Sequence, residues 1–285
     1  MPELPEVEVL VRRLRPLLLG RVIKSITVKR PKVIRPTSAR VLNSTITGRH
    51  FGEIHRRAKY LLFELKSPRP GIEPVTLLGH LGMTGRMFVQ SKRRELPKHT
   101  AVALDLGRDW FVFEDTRYFG RFNLDLGSLA NLGPEPLSDA FTADGLRAAL
   151  VKSSQAIKVK LLDQAVVAGL GNIYASEALF RAGINPRRPA KKINRTSAER
   201  LVMAIREVLN EAIQFGSTLP LATDSSKRKN ELFYYGQSAD NLDIYEERLR
   251  VYNRAAQPCI RCHKLIEQFV QAARSTYWCP HCQRQ

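Results

Sequence analysis

No cysteine precedes Cys259, and all four cysteines fall within the last 27 residues. That absence leaves the body of the chain without a disulfide framework and gives no sign of an oxidising compartment. Long apolar runs are missing too. Nowhere do about 18 apolar residues follow one another, so no segment reads as a membrane-spanning helix. The acidic N-terminus lacks the apolar centre of a secretory signal, which argues against export. Acid is the scarce charge overall. Asp+Glu number 27 against 46 Lys+Arg, a formal charge of +19 with a pI near 10.2. Such a surplus points to a polyanionic partner, DNA or RNA first. Ribosomal, membrane-binding and heparin-binding proteins share that footprint, so charge alone does not choose. With 285 residues, 44% of them hydrophobic, the chain has room for two domains with real cores.

What is present begins with MPELPEVE. Pro5 suits the first turn of a helix, and Glu6 and Glu8 complement the positive end of its dipole. The following VEVLVRRLRPLLLG predicts a helix with Val7, Leu10, Leu14 and Leu17 on one face. Pro2 carries a second meaning. Removal of Met1 would leave it with a free secondary amine. An α-amino group ordinarily titrates about 2.5 pH units below a lysine, so its nucleophilic fraction at neutral pH is roughly two orders of magnitude larger. Such an amine adding to a sugar aldehyde carbon gives an iminium, a permanent cation and an electron sink.

Short strands follow: RVIKSITVKR, YLLFELKS, VTLLGHLG, TAVALDLG and WFVFED, with LGRDW as a hairpin turn. Local turns between short strands predict a sandwich or barrel. GSLANLGPEPLSDAFTADG, rich in Gly, Pro, Ser and Asp, reads as an interdomain link. From about residue 142 the pattern is helical, through TADGLRAALVK, AIKVKLLDQ and NIYASEALFRAG. A long helix then opens with a Thr196/Glu199 capping box and stops at Gly216. Residues 217–240 read as a mobile basic loop.

Cys259-x2-Cys262 and Cys279-x2-Cys282 have the spacing of a four-cysteine structural zinc site. Four thiolates leave no open position, so one such ion would be structural. His263 or His281 could replace a cysteine ligand, but a histidine satisfied at the surface is the commoner case. The GLGN turn places Asn172 as a helix cap where exposed N–H groups can meet a phosphate. Met83 lies between glycines in GHLGMTGRM, and Arg117 and Phe119 stand beside Gly120 in EDTRYFGRF. Apolar and arginine side chains on such tips can enter a base stack, although Met83 and Phe119 taken singly are more often core residues.

In combination, MPELPEVE, HLGMTG, DTRYFG, GLGNIYASE and the terminal four-cysteine ribbon resemble bacterial formamidopyrimidine-DNA glycosylases, in order over nearly the whole chain. The resemblance implies an α+β multidomain protein. Residues 1–130 would be a catalytic β-sandwich flanked by helices, and 131–150 a linker and the start of the helical domain. A helix–two-turn–helix domain with a lesion loop would occupy 151–255, and a zinc ribbon 256–285. DNA would lie in the cleft between the halves. Pro2 would be the nucleophile at C1′, Glu3 the acid that protonates the sugar oxygen, and Glu6 a second carboxylate of less defined role. Lys59 and His80 would bind phosphate. Met83, Arg117 and Phe119 would fill the gap left by a flipped base, while Asn172 and Arg274 clamp flanking phosphates. Lys158 would lie near the cleft.

The implied activity is a DNA glycosylase and AP lyase, removing oxidised purines by β,δ-elimination from double-stranded DNA. The protein would hold one structural zinc and act as a cytoplasmic, nucleoid-associated monomer. Relatives of endonuclease VIII type begin MPEGPE and remove oxidised pyrimidines; Leu4 and the Met83/Arg117/Phe119 set favour the purine branch. A catalytically silent DNA-binding protein on the same scaffold is the other alternative, favoured if Met1 is retained. The stretch Gly216–Tyr252 departs from the family's usual lesion loop and leaves the preferred base open.

Overall fold

A computed structural model describes residues 2–218 and 249–284; Met1, residues 219–248 and Gln285 lie outside the described residues. Most of the expected basic loop falls there. The chain forms two compact units, Met1–Ala130 and Asn131–Gln285.

The first unit opens with α1 (Leu4–Leu18), with Pro5 in its first turn. Val7, Leu10, Leu14 and Leu18 are buried, whereas Leu17 is 42% exposed and was wrongly placed on the inner face. At 3.6 residues per turn, Leu18 returns to within about 20° of Val7, while Leu17 lies about 80° away. Two antiparallel four-stranded sheets follow. One has β1 (Ser25–Val28), β6 (Thr100–Asp105), β7 (Asp109–Glu114) and β5 (Arg86–Ser91) in that order. The other runs β2 (His50–Arg57), β3 (Tyr60–Lys66), β4 (Val75–His80), β8 (Arg121–Asn123). Phe51, Phe63 and Phe122 of the second sheet meet Phe111 and Phe113 of the first, with ring centroids 5.5–6.3 Å apart. Edge and offset contacts of this kind suit aromatic quadrupoles and add to the burial of large rings.

The sequence pattern missed four elements: α2 (Ala39–Ile46), β2, β5 and β8. In β2 the register slips between Phe51 and Ile54, so the inward residues no longer alternate with period two.

The second unit contains α3 (Ala143–Leu150), capped by the Thr142 hydroxyl, and the short α4 (Ile157–Leu161). α5 (Asn172–Ala182) ends at Gly183 in the left-handed conformation, φ +72°. α6 (Arg195–Thr218) starts earlier than the Thr196/Glu199 box required. Asn194 Oδ1 accepts the Ser197 N–H at 2.8 Å, and Glu199 pairs with Arg195 instead. The helix also runs two residues past Gly216. The proline-rich stretch before α3 is tied down. Arg206 donates to the carbonyls of Pro136, Ser138 and Phe141. A two-stranded ribbon, β9 (Glu267–Gln271) and β10 (Arg274–Trp278), completes the unit. Among the described residues no helix is long and apolar enough to cross a membrane.

Candidate active site and nucleic-acid interface

The first unit gathers eight of the sequence-identified residues. Pro2 is buried immediately ahead of α1, and Glu3, 2% exposed, is the helix N-cap. Glu3 and Glu6 form a capping box, in which the Glu6 carboxylate accepts the Glu3 N–H at 2.7 Å. Glu6 therefore fixes the peptide that carries Pro2, a role its position in the sequence did not reveal. Two residues on, Glu8 accepts from Arg12 at 2.8 Å and from Arg56 at 2.9 Å. Burial alone would raise the Glu8 pKa, but the two guanidinium groups outweigh it and hold it below the usual carboxylate range. Arg56 also donates to the Ala58 carbonyl in the β2–β3 turn. Ala58 takes φ +53° there, and Lys59 follows it, 7% exposed. The start of α1 and the Lys59 turn are thus joined through one ion pair.

His80 ends β4, opposite Tyr60 on β3, with ring centroids 4.8 Å apart. Desolvation, then Lys59 and Arg121, depress its pKa to about 4. The ring is neutral at neutral pH. Its Nδ1 accepts the Gly82 N–H at 3.2 Å, which leaves the proton on Nε2. Towards a phosphate His80 would be a neutral donor, not a cation.

Met83 and Phe119 are 41% and 46% exposed, too open for core residues. Their two loops are joined by Asp115, which is fully buried. Its Oδ1 accepts from the Thr84 hydroxyl at 2.6 Å and the Arg117 N–H at 3.1 Å, and its Oδ2 accepts the Gly120 N–H at 2.8 Å. Gly82 has φ +62°, and a Cβ on it would lie 2.6 Å from Gly120 N, so only glycine lets the loops touch. Met83, Arg117 and Phe119 are therefore presented as one group. The sequence showed the three tips but not the aspartate beneath them, because nothing in EDTRYFG separates a buried acid from a solvated one.

The second unit holds the remaining residues. Asn172 is the first residue of α5 and not its cap, which is Gly171. Its Nδ2 donates to the Ser275 carbonyl at 3.0 Å. Lys158 is 1% exposed, and its Nζ donates to the same carbonyl at 3.0 Å and to Thr276 Oγ1 at 2.8 Å. Both side chains thus hold the residue next to Arg274, which stands exposed at the tip of the β9–β10 hairpin. Glu177, buried on α5, was missed by the sequence reading. Its carboxylate accepts the N–H groups of Arg250, Val251 and Tyr252 at 2.8–2.9 Å. Burial raises its pKa while these three bonds pull the other way.

The four cysteine Sγ atoms all lie within 4.8 Å of one another. Cys259–Cys282 and Cys262–Cys279 are 3.8 and 3.5 Å apart, far from disulfide length. A tetrahedron with metal–sulfur bonds of about 2.3 Å has edges near 3.8 Å, so the set fits zinc. Cys259 and Cys279 are completely buried, and the Arg261 and Cys282 N–H groups donate to their sulfurs, as thiolates require.

Residues 1–122 match the model of the formamidopyrimidine-DNA glycosylase N-terminal domain, and 132–222 match that of its H2TH domain. Residues 256–285 match the zinc finger found in FPG and IleRS. The four-cysteine cluster is accordingly the site of one structural zinc ion. A formamidopyrimidine-DNA glycosylase of Thermus thermophilus is 42% identical over 292 residues, covering 99% of this chain and 98% of that protein. Lactococcus lactis Fpg in complex with DNA containing N7-benzyl-Fapy-dG is 32% identical, with a TM-score of 0.85 and full coverage of both chains. The same enzyme with abasic-site DNA gives a TM-score of 0.84 at 31% identity, over 99% of this chain and 100% of that one.

Proposed function

The chain belongs to the formamidopyrimidine-DNA glycosylase family, glycosylases acting on damaged DNA, and we propose that it excises oxidised purines and then cleaves the abasic strand. The observation that carries this reading is the start of α1. Pro2 is buried there, its peptide is fixed by Glu6, and Glu3 caps the helix beside it.

With Met1 removed, the Pro2 nitrogen attacks C1′ of the damaged nucleotide. The N–C1′ bond forms, the C1′–base bond breaks, and the base leaves with the electron pair and takes up the proline N–H proton, which restores the nitrogen lone pair. Glu3 gives its proton to the sugar ring oxygen, C1′–O4′ opens, and the nitrogen lone pair completes the iminium. The cation acidifies C2′–H. Its removal expels the 3′ phosphate by β-elimination, and δ-elimination expels the 5′ phosphate. Lys59, Arg274, Asn172 and the Nε2–H of His80 hold phosphates, with Asn172 placed at the positive end of α5. Lys158 acts through the ribbon, since its ammonium is turned onto Ser275 and Thr276. Zinc, when bound, stabilises the ribbon and takes no part in bond breaking.

Purified protein incubated with duplexes carrying 8-oxoguanine, an oxidised pyrimidine or an abasic site tests the reading. Excision and strand cleavage at 8-oxoguanine are expected. Preference for the pyrimidine would move the chain to the endonuclease VIII type, and binding without cleavage would mark it as catalytically silent.

The wedge makes a separate prediction. Met83→Ala slows excision from a duplex by roughly tenfold or more, but slows cleavage of a single-stranded abasic oligonucleotide far less. Only the duplex needs its stack filled after flipping. Equal losses in single-turnover rates on the two substrates would make Met83 a packing residue.

A further inference from the structure

A row of cations beside the wedge has no part in the mechanism above. The segment after β1 turns through a short 3-10 helix, Pro31–Ile34, with Val33 and Ile34 buried beneath it and Arg30, Lys32 and Arg35 exposed. It is fastened to β8, because Asn123 Nδ2 donates to the Arg35 carbonyl at 2.6 Å and the Leu124 N–H donates to Thr37 Oγ1 at 3.1 Å. From that footing the Arg30 guanidinium lies 4.8 Å from the Tyr118 ring centre and Lys32 Nζ lies 5.5 Å from that of Phe119. Arg117 approaches the same Phe119 ring at 4.9 Å. No carboxylate pairs with Arg30, Lys32, Arg35, Arg117 or Arg121 among the described residues. Arg30, Lys32 and Arg117 around the Tyr118 and Phe119 rings, with Arg35 and Arg121 on the flanking segments and none of the five in an ion pair, form a surface for phosphates.

Sheet order places this row. Tyr60, His80 and Arg121 are consecutive partners across β3, β4 and β8. Lys59 therefore lies at one side and the Arg30–Arg35 segment beyond β8 at the other, with the Met83 and Phe119 loops rising between. At about 4.8 Å per strand, the two sides are separated by roughly 10 Å or more. A wedge inserted into a base stack stands between the two strands. Cations on opposite sides of it then meet opposite backbones. Resting on the glycosylase reading, the geometry points to Arg30, Lys32 and Arg35 as a rail for the phosphates of the undamaged strand, with Lys59 and His80 on the damaged one.

The test uses the full chain and a duplex containing a reduced, uncleavable abasic analogue. In Arg30→Ala/Lys32→Ala the slope of log affinity against log salt falls by about two, roughly 0.9 per phosphate contact. Neutral methylphosphonates placed near the lesion in the undamaged strand weaken wild-type binding roughly tenfold, and the double variant less than about twofold. The same groups in the damaged strand weaken both proteins alike. The charge-preserving Arg30→Lys/Lys32→Arg variant behaves as wild type, and matching thermal melts exclude misfolding as the cause. If the alanine variant keeps the wild-type slope, or its loss follows methylphosphonates in the damaged strand, the rail is wrong while the glycosylase reading stands. If wild type neither binds nor cleaves damaged duplexes, the reading fails and takes the rail with it.

Discussion

Adding a single residue ahead of Pro2 abolishes covalent trapping of the protein on damaged DNA. Borohydride reduces an iminium to a stable amine, so wild type reacting in its presence becomes linked to the oligonucleotide, and the link maps by mass spectrometry to Pro2 with Met1 absent. The extension acts twice. It converts the Pro2 nitrogen into an amide, which is no longer a nucleophile, and it moves the new amine by up to about 3.5 Å. Productive attack needs placement within about half an ångström, and a misplacement of about 1 Å already costs roughly a hundredfold. The structure leaves little room to compensate. Pro2 is buried, and the next peptide is held by the Glu6 carboxylate at the N-terminus of a helix whose first turn is packed. The loss in trapped product is therefore on the order of a thousandfold.

Two companion variants divide the roles. Pro2→Gly keeps an amine of similar reach and retains weak trapping. Glu3→Gln binds DNA but loses base excision, with cleavage of a preformed abasic site less affected, because the open-chain aldehyde needs no ring-oxygen protonation. A crosslink on Lys59 or Lys158 in wild type would overturn the assignment. Lys158 is a poor competitor in any case, because its Nζ is buried and donates to Ser275 and Thr276.

The sequence disclosed this site because its residues are local. A proline, two glutamates and a helix start within a few positions constrain one another through helix-start and dipole rules alone, although the Glu3/Glu6 capping box emerged only from the structure. The cysteine spacing is legible for the same reason. Long-range partners are not. Asp115 reaches Thr84 across 31 positions, and Glu177 reaches Val251 across 74. A buried acid receiving backbone N–H groups leaves no mark distinguishing it from a surface acid in its own neighbourhood. Lys158 shows the opposite failure. In AIKVK it looks like an exposed cation, yet tertiary packing turns it inward. Among the strands, β2 was missed because a bulge spoils its alternation, and β8 because three residues carry no period.

Cys279→Ser removes zinc, unfolds the ribbon and lowers affinity for damaged duplex by about a hundredfold or more, while the N-terminal sandwich keeps its own unfolding transition. The ribbon has little else to hold it. Its apolar cluster is Val251, Cys259, Ile266, Tyr277 and Cys279 with Phe180 from α5, two of them zinc ligands. Segments of about 40 residues or fewer seldom bury enough to fold without a staple, and a structural zinc contributes on the order of 10 kcal/mol. Loss of the metal then reaches back into the helices. Lys158, 1% exposed, loses both the Ser275 and Thr276 acceptors, and Gln283 can no longer bridge the Cys279 N–H and the Ile184 carbonyl. Glu177 is left with its three amide donors on a loosened segment. Arg274 loses the hairpin that carries it and Asn172 loses the Ser275 carbonyl, so both proposed phosphate clamps go together. The sandwich is spared because its aromatic core is confined to Met1–Ala130. Metal analysis, calorimetry and a binding titration on the same preparation check the three parts. Wild type without zinc that still cleaves DNA, or Cys279→Ser with wild-type affinity, would separate the metal from the clamp and refute the coupling.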